Sequence, residues 1–114
     1  MELKNKRYEN IGIHVLSTIF TVDKGKIKIL LVKRTNEPFK DFWALPSGAL
    51  YNDELLCDGA KRELEEKTGI TGIDLDFSAV FDDIKRSELR RMIGISFIGV
   101  RNLKNIKCRL LWNK

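Results

Sequence analysis

The stretch Gly48–Ile70, GALYNDELLCDGAKRELEEKTGI, leaves the chain little freedom: a glycine-led loop, a helix crowded with carboxylates and a glycine stop follow one another. Asn52 and Asp53 are N-cap residue types and Glu54 adds negative charge to a first turn, so the helix is expected to start there. Gly69 is the expected left-handed C-cap after about 15 helical residues. At 100° per residue, Leu56, Ala60 and Leu64 form a stripe about 80° wide, the face that packs on a core. Glu63 and Lys67 fall at or inside its edge, and Glu66 lies about 60° to one side of Glu63. Glu63, Glu66 and Lys67 are therefore expected to share a surface at the core boundary, with Glu65 pointing into solvent.

Carboxylates three apart on one helix face can hold a hard divalent cation such as Mg²⁺, which prefers oxygen ligands and keeps waters that substrate phosphates replace. A solvated, charged helix accounts for the same residues without a metal. Glu63 followed by Lys67 is the favourable i,i+4 orientation, worth about 0.3–0.5 kcal/mol as a surface pair. The helix pattern alone leaves both readings open.

Strand signals flank this helix. Ile11–Val22 and Ile27–Lys33 are β-rich runs joined by Asp23-Lys24-Gly25-Lys26, a turn sequence that predicts a hairpin. Ile29–Val32 is wholly apolar, the pattern of a central strand buried on both faces. Residues 1–9 read as a polar, irregular leader and Arg34–Phe42 as a polar loop containing Pro38. Beyond the helix, Ile73–Phe81 and Met92–Val100 predict two more strands separated by the charged segment Asp82–Arg91. Strands, one helix and more strands point to an α+β fold with a mixed sheet.

At 114 residues with 43% hydrophobic content, the chain suits one small domain. Its 21 Lys and Arg against 16 Asp and Glu give +5, which favours anionic partners, phosphates or nucleic acid alike. No dense basic run with interleaved aromatics raises the nucleic-acid reading. Cys57 and Cys108 stand outside any Cys-x-x-Cys or Cys/His cluster, and His14 sits in an apolar strand pattern as a structural residue. With no signal peptide and no apolar run near 18 residues, the expectation is a cytoplasmic protein that does not enter a membrane.

The order Gly48, five residues, Glu54, seven residues, then Arg62-Glu63-Leu64-Glu65-Glu66-Lys67-Thr68-Gly69-Ile70 resembles the Nudix box, Gly-x5-Glu-x7-Arg-Glu-U-x-Glu-Glu-x-Gly-U, at eight of nine defined positions. The departure is Lys67, where the family has the second glutamate of its Glu-Glu pair. The resemblance implies a single Nudix domain with its box at 48–70, folded as an αβα sandwich around a mixed sheet. It further implies Mg²⁺ or Mn²⁺ held by Glu63, Glu66 and the carbonyl of Ser47 or Gly48, with Arg62 orienting the glutamates by ion pairing. Lys67 puts a cation where a ligand belongs; it has no lone pair for Mg²⁺, so a weakened metal site is expected.

Val32-Lys33-Arg34, Asn36-Glu37-Pro38-Phe39-Lys40 and Trp43-Ala44-Leu45-Pro46 are similar to the ADP-ribose-related Nudix branch, which includes the Nudix-related transcriptional regulators of NAD metabolism. That likeness implies a small nucleotide-type substrate, with Arg34, Trp43 and Arg86 in its binding. Lys85 and Arg91 are further phosphate candidates, and Asp83 and Glu88 conceivable late carboxylates, against the alternative of a solvated loop. The winged helix by which those regulators bind DNA is not seen in this sequence. The tail Arg101–Lys114 is shorter than the strand and second helix a Nudix sandwich adds, so truncation and completion of the core as a homodimer are both expectations.

Three functions follow from the resemblance. One is a pyrophosphohydrolase that cleaves the diphosphate of a nucleoside diphosphate linked to another moiety, ADP-ribose giving AMP and ribose 5-phosphate. The second is a catalytically weak sensor of the same ligand. The third is a nonfunctional remnant.

Overall fold

The computed structural model describes residues 11–84 and 90–102 and the backbone of 109–112. Its elements are β1 (Gly12–Asp23), β2 (Lys26–Lys33), β3 (Trp43–Ala44), β4 (Ser47–Ala49), α1 (Leu56–Thr68), β5 (Asp76–Phe81), β6 (Met92–Val100) and β7 (Arg109–Trp112). The predicted leader at 1–9, together with Lys85, Arg86, Glu88 and Cys108, lies outside the described residues.

β1 is the spine. It runs parallel to β6 from Gly12↔Met92 to Phe20↔Val100. On its other edge it pairs antiparallel with β4 near its start and with β2 near its end. The β1–β2 turn places Lys24 and Gly25 at φ 51° and 77°, both in the left-handed region, as a tight hairpin that matches strand twist requires. β5 pairs antiparallel with β6, with an irregularity between Phe77 and Ala79. β2 pairs with β7 along Ile29–Val32 on the edge away from β1, and with β3 at Val32–Lys33 on the opposite edge, Val32 having a partner on each side. The parallel β1–β6 pair among antiparallel neighbours makes the sheet mixed, and with α1 the fold is α+β as expected.

Alternation along β1 sends Val15, Ser17, Ile19 and Thr21 to one face, all of them buried. On that face α1 seats Ala60 and Leu64 among Val15, Ile19, Leu30, Ile95 and Phe97. Burying Leu64 completely contributes about 2–3 kcal/mol, enough to dominate the placement of this helix. The opposite face, with Leu16, Thr18, Phe20, Ile29 and Leu31, is only half-buried. The expectation of a β2 buried on both faces is thereby corrected: Leu30, in the core with Ala60 and Leu64 of α1, and Val32 are buried on one face, while Ile29 and Leu31 on the other are half-buried.

The helix starts later than its capping residues predict. Its first residue is Leu56, and the N-cap position falls on Leu55, which makes no side-chain capping bond. Glu54 is diverted: its Oε1 accepts from the Tyr51 N–H at 2.9 Å and both its oxygens accept from Arg62, so Asn52 and Asp53 stay in a turn. The far end behaves as read, with Gly69 at φ 79° donating its N–H to the Glu65 carbonyl at 2.8 Å.

Candidate functional site

Pairing of β4 with β1 places Gly48 opposite Val15, under the inner face of α1. A Cβ at position 48 would fall on the carboxylate of Glu63, so only glycine lets the helix and β4 approach this closely. Glu63 is 8% exposed and is reached by two cations. Arg62 Nη1 donates to its Oε2 at 2.5 Å, and Lys67 Nζ stands 2.9 Å from its Oε1.

Arg62 is the hub of this cluster. Its Nε and Nη2 grip Glu54 at 3.0 and 2.8 Å in the forked geometry that matches a carboxylate. Nη2 also donates to the Ala49 carbonyl at 3.0 Å, and Nη1 reaches Glu66 Oε2 at 3.3 Å. The guanidinium lies 4.4 Å over the Tyr51 ring, a cation–π contact. The fork from Glu54 holds Arg62 charged well above its ordinary pKa, and the same bond holds the Glu54 carboxyl below its own. Burial pushes the Glu63 carboxyl upward, yet the hydrogen bonds from Lys67 and Arg62 outweigh it and leave it below the ordinary value.

Lys67 is more open, with 42% of its side chain exposed. Besides Glu63 it donates to the carbonyl oxygen of Ser47. These two acceptors are among the oxygens the Nudix resemblance assigns to a divalent cation. Both Glu63 oxygens and the Ser47 carbonyl are thus engaged by side-chain cations, and among the described residues no group of three or more His, Cys, Asp or Glu is placed to hold a metal. As arranged, the residues do not fit a divalent ion between Glu63 and Ser47.

Lys67 and Glu66 form one wall of a cleft of about 790 Å³, which Arg34, Lys40, Trp43 and Ala44 continue. The β2–β3 loop shapes it. Arg34 N–H donates to the Phe42 carbonyl at 2.8 Å, Asp41 N–H to the Arg34 carbonyl at 2.9 Å, and Arg34 Nε to the Pro38 carbonyl at 2.9 Å. That closure holds Arg34 beside Trp43, whose residue is 43% exposed.

Arg62, Glu63, Glu66 and Gly48 therefore meet at one place, and Arg34 and Trp43 line the adjoining cleft. Arg86 lies outside the described residues. Arg91 does not join them, since its Nη1 donates to the Asp82 carbonyl at 2.7 Å and closes its own loop. Cys57 is half-buried with its Sγ 3.9 Å from the Leu75 carbonyl, a packing position. Sequence reading missed the Tyr51 ring and the Ala49 carbonyl beneath Arg62, and it gave the Ser47 carbonyl to a metal instead of to Lys67. No linear pattern signals these contacts, because they exist only once β4 lies against α1.

The NUDIX domain family matches residues 13–104. The chain is 39% identical over 88 residues to the ADPR responsive transcriptional repressor NtrR of Acinetobacter baylyi, covering 75% of this chain and 35% of that protein. It is 37% identical over 93 residues to the ADP-ribose pyrophosphatase of Methanocaldococcus jannaschii, covering 82% of this chain and 54% of that protein. The chain thus spans about a third to a half of the length of these relatives. In fold it is similar to the NUDIX domain of Shewanella oneidensis NrtR, solved in complex with ADP ribose, with a TM-score of 0.82 and 22% identity over 97% of this chain and 78% of that one.

Proposed function

This chain belongs to the Nudix family, and we propose that its cleft binds the diphosphate of a nucleoside diphosphate linked to a second moiety, ADP-ribose foremost, with hydrolysis weak or lost. The observation that carries this reading is the Lys67 ammonium seated on Glu63 and the Ser47 carbonyl at the cleft wall. A ligand there meets cationic donors from Arg34 and Lys67 for its phosphate oxygens and the Trp43 indole for a flat base. Cleavage needs a water made nucleophilic, and the family's Mg²⁺ or Mn²⁺ would supply that activation. Glu63, the carboxylate best placed to assist, is instead neutralised by Arg62 and Lys67. The name of the repressor relative supports a ligand-responsive role, and this chain's part in such a protein is the binding of the nucleotide.

A second reading, a working pyrophosphohydrolase that releases AMP and ribose 5-phosphate, draws on the intact Arg62–Glu63–Glu66 cluster and on the pyrophosphatase relative. Calorimetric titration with ADP-ribose beside an assay of AMP release in Mg²⁺ separates the two. The expected result is saturable binding with AMP release at background. Sustained, Mg²⁺-dependent release would establish the second reading instead.

A further inference from the structure

We propose that Lys67 is a tethered replacement for the divalent cation, so that this cleft recognises a diphosphate without any metal; the inference rests on reading the cleft as a diphosphate site. An ammonium has three N–H donors and no acceptor. Glu63 Oε1 and the Ser47 carbonyl take two of them and thereby aim the third. With 42% of its side chain exposed and its place in the cleft wall, Lys67 presents that donor to whatever the cleft holds.

Charge makes the substitution self-consistent. A glutamate at position 67 together with one divalent cation carries a net charge of plus one, and so does a lysine alone. The Lys67 side chain therefore offers an incoming diphosphate the same local charge that the usual pair would offer, from a point bound to the same two oxygens. Binding and cleavage are uncoupled by this exchange. An ammonium neutralises and hydrogen-bonds a phosphate oxygen as a point charge, yet it has no vacant orbital with which to acidify a bound water. Glu66, 56% exposed at its side chain, is engaged by Arg62 at 3.3 Å.

The test is calorimetric titration of the full chain with ADP-ribose, once in excess MgCl₂ and once in EDTA, repeated for Lys67→Met and Lys67→Glu, with circular dichroism confirming that each protein is folded. The native chain is expected to bind with the same Kd in both buffers, within about twofold. Lys67→Met should bind about tenfold or more weakly in both. Lys67→Glu should bind in MgCl₂ and lose about tenfold or more in EDTA. Native binding that collapses in EDTA would overturn the tethered-cation inference and leave the ligand assignment standing, as would unchanged affinity in Lys67→Met. Folded native protein that binds in neither buffer would overturn the diphosphate reading and the inference with it.

Discussion

Two cations flank Glu63 and they are built differently. Arg62 makes contacts on every side: the fork to Glu54, the Ala49 carbonyl, Glu63, Glu66 and the Tyr51 ring. Lys67 makes two, to Glu63 and the Ser47 carbonyl, and leaves the rest of its side chain to the cleft. A guanidinium with five donors in a rigid plane suits the first position, where one group must satisfy several oxygens at once. A compact ammonium on a flexible stem suits the second, where part of its capacity is kept for a ligand. Both cations tie α1 to β4, Arg62 through the Ala49 carbonyl and Lys67 through that of Ser47, but Lys67 also faces the cleft.

The largest break in this comparison is Arg62→Met. The stem volume is kept, but Glu54 and Glu63 lose their shared partner and Glu63 is left nearly buried beside a single ammonium. Removing one member of a buried pair costs 3–5 kcal/mol, and the one-fifth exposure of Arg62 lowers this to about 2 kcal/mol. Urea unfolding at neutral pH checks it. A loss under about 0.5 kcal/mol would mean that the hub is ornamental and the two cations do not divide their roles.

Gly48→Ala sharpens the contrast by attacking Glu63 from below. The added methyl must displace the Glu63 carboxylate or push β4 from α1, a cost of about 1–2 kcal/mol for an overpacked contact. Arg62 has other anchors and should stay in place, so its guanidinium is expected to remain on Glu54. Among the described residues Lys67 has only Glu63 and Ser47, and it should be the cation released. Spin-label or NMR mobility at the two side chains reads this directly, with Lys67 Nζ broadened or shifted and Arg62 Nε unchanged; equal disturbance of both would erase the distinction.

Much of the helix was legible because its cues are local. The left-handed Gly69 and the core contacts of Ala60 and Leu64 need only a φ preference and helical periodicity, and they stand in the structure, whereas Leu56, read as the third member of that stripe, is 40% exposed at the first turn. The same periodicity placed Glu63 and Lys67 at the edge of that stripe and Glu65 in solvent; Glu63 is buried and Glu65 exposed as read, while Lys67 and Glu66 are both exposed. The N-terminus was misread at Asn52 and Asp53 because Glu54 is claimed by Arg62, eight residues away, a contact no cap rule weighs. β3 and β4 hold two and three residues, too few for an alternating pattern, and they exist by pairing with β2 and β1. β7 is likewise defined by its partner β2, which is why the tail showed no element of its own. The i,i+4 pair of Glu63 and Lys67 is likewise local and legible, but the arrival of the Ser47 carbonyl from β4 at Lys67 is not.

Acid is the mildest way to separate the two cations. Burial raises the Glu63 carboxyl while Lys67 and Arg62 lower it, and the outcome lies below the ordinary 4.5. A carboxyl depressed in the folded state stabilises the fold at all pH above its unfolded value, and that contribution disappears as pH falls through the lower, folded value. Lys67→Met leaves Arg62 alone against burial, so the folded value rises and the stabilisation from Glu63 shrinks. The expected gap between native and Lys67→Met is about 0.5 kcal/mol near pH 7, because Lys67 is almost half exposed. That gap should narrow as pH falls through the folded value of Glu63 and close once the carboxyl is protonated in both proteins. Urea unfolding of the pair across an acid pH series measures it. A gap that persists in acid would show that Lys67 stabilises through its methylene stem and not through its charge, and the charge would then have no purpose in the fold apart from the ligand.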